Sequence, residues 1–389
     1  MFNRLHWKKI AATLLCSSMV LSAAACGNSG DDSSADSSDS SLFESIPENT
    51  TTEQVTEETT SEEVTESSEP YVLPEGMYFS ELTGEPISEA IKDQRPIAVM
   101  VDNEKTALPH YGTANSDVVY ELMNSTKNDR ITRLMCIVKD WGNIEQFGSI
   151  RSTRPTNILL ASEWNAVLCH DGGPYYNDQY FSREWSAHFS GTFSRVNNGK
   201  AKEFTEYIVA GDLESNFAAH EGQTGYETTY NQYANPDNHF NFVEYGTELK
   251  LSEKYNNTYG ANIVSLPFTH NQSVLAYNSA TGEYEYYEYD EHHEDADSGA
   301  PLSFKNVLLQ KCTFTELDEN GYLVYNCIDP GNTGWYLTNG EAKVIAWNKL
   351  TETGRTVYYD DTGAELQINT GKTYIALIPA DSWDYVTFQ

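Results

Sequence analysis

The side chains best able to do chemistry gather between Phe147 and Pro174, in the stretch FGSIRSTRP followed by AVLCHDGGP. Arg151 and Arg154 together could grip a phosphate or carboxylate in bidentate geometry. Pro155 suits the first turn of a helix, with Thr153 or Arg154 as its N-cap, and the free N–H groups of that turn would face the same anion. His170 and Asp171 are the types that take up and hand on a proton, and they are the catalytic candidates. Arg133, upstream, would join the group if its strand is a neighbour. The expected ligand-binding set is therefore Arg133, Arg151, Arg154, His170 and Asp171. A second reading stays open. The arginines could instead pair with Asp102, Glu121 or Asp171 in an ion network that fixes loops, and a His before Gly172-Gly173 could be a turn residue. No Ser or Cys sits in a nucleophile-elbow setting. Cys169 precedes His170 directly, so on a strand the two point to opposite faces.

Positioning these groups requires strands covered on both faces. The runs Pro96–Asn103, Asp117–Met123 and Ile131–Val138 are continuously apolar and bounded by turn residues, as buried strands are. A short strand into a helix at Pro155, with Ile158, Leu159, Ala161 and Trp164 as its apolar stripe, followed by a strand at Ala166–Cys169, predicts a right-handed βαβ crossover. Both loops would then open on one sheet edge, where α/β folds bind ligands. Beyond residue 245 the pattern changes. Tyr and Thr alternate with polar residues, and turn pairs recur at Thr281-Gly282, Asn320-Gly321, Asn339-Gly340 and Thr362-Gly363, predicting antiparallel hairpins. The expected fold is α+β: an N-terminal α/β-type domain with a mixed sheet over 71–245 and a mostly antiparallel β domain over 246–389. Trp185, Phe189, Phe193, Tyr226, Tyr230 and Tyr233 could stack on sugars or fill space between domains, and filling is preferred.

His293 and Asp295, two apart in HHEDAD, are weak metal candidates whose spacing fits no familiar site, so neither metal nor cofactor is expected. Cys312 and Cys327 lie symmetrically about Asp318–Gly321, and a hairpin there would set them opposite each other as a candidate disulfide. Cys136 and Cys169, in apolar runs, read as small buried hydrophobes.

The N-terminus supplies an address. Arg4, Lys8 and Lys9 precede an apolar run from Ile10 to Ala25, and the run ends LSAAAC at Cys26. A basic start, a short apolar stretch and small residues make an export signal over residues 1–25, too short for a membrane span. Small residues directly before a cysteine resemble a lipobox, making Cys26 the lipidation site, carrying palmitate-like chains as the anchor to the membrane. Residues 26–70 are rich in Ser, Thr and acid, without Lys or Arg, the composition of a disordered tether spanning roughly 35–40 Å as a coil. The whole chain of 389 residues carries 24 Lys+Arg against 58 Asp+Glu, a net charge of −34. That balance excludes nucleic acid, which is bound by neutralising phosphates. Because the signal and tether hold thirteen of the acids and three of the bases, residues 71–389 remain strongly acidic by themselves. Any anion site there must be built locally.

RPIAVMVDN, SDVVYELM, DRITRLMCIV, FGSIRSTRP and AVLCHDGGP, then HHEDADSGAPLSFKNVLLQ, GWYLTNGEAKVIAWNK and GKTYIAL, resemble the YerB-like lipoprotein family over roughly residues 93–380. The resemblance implies a bacterial cell-surface lipoprotein with two adjacent domains of unknown function and no settled activity. Positions matching the family pattern include Arg133, Arg151, Arg154, His170, Gly172, Gly173, His293 and Asp295. The combined expectation is a lipid-anchored protein on the extracytoplasmic face of the membrane. It would bind an anionic or carbohydrate component of the cell envelope, or an envelope protein. The alternative is an enzyme acting on phosphate-containing wall polymers through Arg133, Arg151 and Arg154.

Overall fold

The computed structural model describes residues 71–389. The expected signal (1–25), the lipidation site Cys26 and the tether (26–70) lie outside the described residues.

A mixed sheet of eleven strands organises the structure. In chain order these are β1 (Ile97–Asp102), β2 (Val118–Met123), β3 (Thr132–Val138), β4 (Val167–His170), β5 (His188–Ser190), β6 (Tyr259–Gly260), β7 (Asn306–Cys312), β8 (Asp329–Thr338), β9 (Glu341–Lys349), β10 (Val357–Tyr359) and β11 (Thr373–Pro379). Across the sheet they run β6-β9-β8-β7-β11-β2-β3-β1-β4-β5, with β10 also paired to β9. Near the middle, β11 is parallel to both β7 and β2. Sheet hydrogen bonds therefore pass without a break from the residue-97 region to the residue-349 region. The three apolar runs picked from the sequence are β1, β2 and β3, and every residue in them is buried. Alternate side chains face opposite layers. Val99, Val101, Leu134 and Cys136 join one apolar cluster, and Ala98, Met100, Met135 and Ile137 join the other. The first layer is closed by a second, antiparallel sheet that includes Val274–Asn278 and Glu283–Glu288. On the other face lies helix α1 (Pro155–Glu163), buried along its whole length. Few residues are helical, so the fold is largely β, with mixed and antiparallel sheets.

Two expectations need correction. The strand before α1, Gln146–Gly148, does not lie beside β4. It pairs antiparallel with Glu206–Val209 in a separate three-stranded sheet, so no βαβ crossover forms there. The parallel neighbours of β4 are β1 and β5. After Gly148 the backbone meets β1 through an isolated bridge, Ile150 to Val101. The Cys312–Cys327 disulfide is also not formed. The hairpin register is as expected, Phe314 facing Tyr325 and Glu316 facing Leu323, but both thiols are free and buried. Opposed backbone positions are insufficient for a bridge unless the Cβ–Sγ vectors also meet, and the Cys312 thiol turns to the Thr313 carbonyl at 3.5 Å. Cys136 and Cys169 are buried in the cluster containing β1 and β4. At Asn339-Gly340 both residues have positive φ, 53° and 73°, matching the tight turn that joins β8 to β9 with the strand twist.

Candidate functional site

Helix α1 begins as its sequence predicts. Arg154 is the N-cap, Pro155 sits in the first turn, and Asn157 Oδ1 accepts the Arg154 N–H at 3.2 Å. The segment leading into the helix lies along the loop that follows β4. The Asp171 N–H donates to the Arg151 carbonyl (3.0 Å), and the Thr153 N–H to the Gly172 carbonyl (3.1 Å). The two loops therefore share one rim, although not through the crossover expected. Arg133 reaches the same rim from β3, opposite Asp102 of β1.

The arginines have different surroundings. Arg151 is an ion-pair residue, 2.7 Å from Asp102 and 2.5 Å from Glu203. Arg133 and Arg154 have only neutral partners among the described residues. Arg133 Nη1 donates to Asn124 Oδ1 (2.8 Å), to Ser152 Oγ (2.9 Å) and to the Ser152 carbonyl, while its Nε is buried without a partner. Arg154 donates to the Asn124 carbonyl (3.1 Å), the Thr153 carbonyl (2.9 Å) and Ser152 Oγ (3.4 Å), and lies 4.6 Å from the centre of the Tyr322 ring. Burial pulls Arg133 down to about 10. Burial and then the neighbouring Arg133 pull Arg154 down to about 9. Two near-buried guanidinium groups thus converge on Ser152 with no carboxylate between them. Ser152 itself is half-buried, and Gly172 and Gly173 beside it are exposed, so the rim is open to solvent there. Asn124, Ser152 and Tyr322 escaped sequence reasoning. Ser152 stood inside the quoted motif, but a lone Asn and Tyr carried no signal.

His170 and Asp171 turn elsewhere. His170 stacks on Phe181 (ring centres 5.3 Å apart) and contacts His188 Nδ1 at 3.0 Å. Burial pulls it down to about 4, keeping it neutral. Asp171 pairs with Arg195 (2.8 Å), which also meets Glu206 (2.5 Å). Burial and then Asp171 raise Glu206 to about 7. The large aromatics fill space: Phe189 and Phe193 are in the core, and Tyr226 stacks against His220 at 4.4 Å.

His293 and Asp295 also separate. Asp295 accepts backbone N–H groups from Ala114, Asp297 and Ser298, so it shapes a loop. His293 lies instead among His110 and Glu288, all three buried. His110 and Glu288 were missed because they come from distant segments with no motif spacing.

Residues 82–227 match the N-terminal domain of a protein family of unknown function, DUF3048, and residues 264–375 match its C-terminal domain. This chain belongs to that family. YerB of Bacillus subtilis (strain 168), provisionally named a lipoprotein, is 23% identical over 318 residues, covering 77% of this chain and 85% of the relative. The crystal structure of Bacillus subtilis YerB superposes with a TM-score of 0.66 at 20% identity, covering 80% of this chain and 99% of that one. That likeness is one of fold. Among the described residues, no helix is long and apolar enough to cross a membrane.

Proposed function

We propose that this protein is a lipoprotein held at the extracytoplasmic face of the membrane through Cys26, and that it binds a phosphate-bearing envelope polymer at the Arg133–Arg154 rim. One observation carries the binding reading. Two guanidinium groups share Ser152 Oγ with no carboxylate partner among the described residues, in a chain of net charge −34. Burying like charges together is costly, and an anion in the fork of both would offset that cost through charge-assisted hydrogen bonds. The acidic surroundings repel polyanions, so recognition must come from this local pair rather than from long-range attraction. Anchoring draws on the LSAAAC signal and on the name given to the YerB relative. The enzymatic alternative has less support. Arg151 is already engaged by Asp102 and Glu203, and the His170 imidazole is stacked and hydrogen-bonded away from the arginines.

The test is calorimetric titration of the full chain, in detergent, with poly(glycerol phosphate). Arg154→Ala should weaken binding about tenfold or more, the value of one or two charge-assisted bonds. Arg151→Ala should change it about twofold or less. Equal affinity of a folded Arg154→Ala protein and the unmodified chain would overturn the reading.

A further inference from the structure

We infer that His110, Glu288 and His293 form a binding site for a single divalent transition-metal ion, of which Zn²⁺ is the best fit, independent of the arginine rim. The three residues come from a loop after β1, from the end of the strand Glu283–Glu288 and from the position after the short strand Glu291–His292. One ligand atom from each lies within 4.8 Å of the others. Their exposures are 0% for His110, 1% for Glu288 and 4% for His293.

The hydrogen bonds around the cluster set the tautomer a metal requires at His110 and permit it at His293. His110 Nε2 is 2.7 Å from the Asp102 carbonyl. A carbonyl only accepts, so Nε2 carries the proton and Nδ1 keeps a bare lone pair. That Nδ1 is buried with no partner. His293 Nε2 lies 3.2 Å from Thr113 Oγ1, and the Thr113 hydroxyl can donate onward to Asp295 Oδ2 at 3.5 Å. With His293 Nε2 as the donor in that chain, the proton in the 2.9 Å hydrogen bond between Nδ1 and Glu288 Oε1 belongs to the carboxyl, and a cation bound by Nδ1 and Oε1 would displace it. Glu288 Oε2 is likewise buried without a partner. Ligating imidazoles usually donate their other N–H to a carbonyl or to a carboxylate-linked group; His110 does so through the Asp102 carbonyl, and Thr113, linked to Asp295, offers His293 the same arrangement.

Two unpartnered polar atoms in a closed interior are expensive, and one cation would satisfy both. Two imidazole nitrogens and a carboxylate oxygen are the donors of catalytic-type zinc sites, which keep a further position open. Imidazole donors favour Zn²⁺, Cu²⁺, Fe²⁺ or Ni²⁺ over Mg²⁺ and Ca²⁺. An approach exists. A cavity of about 310 Å³ reaches Glu288 and His293, with Lys105, Leu108, Pro109 and Glu291 in its wall.

The experiment uses the untagged full chain, stripped with a chelator and titrated with ZnCl₂, with bound metal counted by mass spectrometry. About one equivalent should bind, with a dissociation constant on the order of micromolar or tighter. Glu288→Gln and His293→Gln should each weaken binding by about a hundredfold or more, beyond the 10- to 100-fold typical of an outer-shell change. His220→Gln should stay within about twofold, since His220 stacks on Tyr226, outside both the cluster and the cavity wall. If the variants do not fold, X-ray absorption of the Co²⁺-loaded unmodified chain must show two imidazole nitrogens. Absence of Zn²⁺ uptake, undiminished uptake in folded Glu288→Gln and His293→Gln proteins, or a Co²⁺ spectrum without imidazole would each overturn the assignment.

Discussion

Replacing Glu121 with glutamine should turn a pH-dependent weakness of the core into a pH-independent one. Glu121 sits on β2 with no exposure. Its Oε1 accepts hydroxyls from Thr132 (2.6 Å) and Ser273 (2.7 Å), and its Oε2 those of Tyr286 (3.1 Å) and Tyr374. No cation pairs with it among the described residues. Burial raises the carboxyl from 4.5 to about 7, against the pull of the Thr132, Tyr374 and Ser273 hydroxyls. A raised carboxyl contributes stability that is complete below its unfolded value and disappears as pH climbs through its folded value. Between pH 4.5 and pH 8 the ionising carboxyl should therefore cost the fold about 3 kcal/mol. Glu121→Gln keeps the shape and an acceptor oxygen, and its amide N–H groups can donate to the tyrosine hydroxyls. Urea unfolding of both proteins should show the variant gaining about 3 kcal/mol on the unmodified chain across that range. A difference that stays flat with pH would refute the reasoning. A difference that shrinks with rising pH would mean that the four hydroxyls outweigh burial and hold Glu121 as a carboxylate.

Two further outcomes are expected. Lys349→Met should lower stability by about 3–5 kcal/mol in urea titrations, because it strands Glu163, 3.0 Å from Lys349 with both side chains fully buried; a loss below about 1 kcal/mol would show that Tyr120, Thr356 and His239 suffice to hold the carboxylate. Cys26→Ala should move the protein from the membrane fraction to the soluble fraction of fractionated cells, and unchanged membrane partitioning would refute lipid anchoring there.

What the sequence disclosed follows the range of its signals. Runs such as Ile97–Asp102 and Thr132–Val138 are apolar on both faces, a local property, and they are buried strands. Pro155 after Arg154 announced the helix start, and the Asn339-Gly340 dihedrals match a turn visible as a dipeptide. Pairing partners were out of reach. Nothing in Gln146–Gly148 says that it joins Glu206–Val209 rather than β4, and nothing in β11 says that it will lie beside β2. The rim shows the same division. Residue types put Arg133, Arg151 and Arg154 together, but only coordinates reveal which guanidinium has met a carboxylate. Asp102 pairs directly with Arg151, whereas Arg133 and Arg154 donate to Asn124 and Ser152 and have no carboxylate within hydrogen-bond reach among the described residues. The His110–Glu288–His293 cluster was invisible because its members meet only when the second sheet covers the first.

The position of β11 bears on when the molecule can close. That strand, Thr373–Pro379, has β7 on one side and β2 on the other, yet it follows both of them in the chain. Until it emerges, β2 and β7 each present an open backbone edge, and the two halves have no strand to join them. A polypeptide whose keystone comes after both its neighbours keeps their edges open until that keystone is in place.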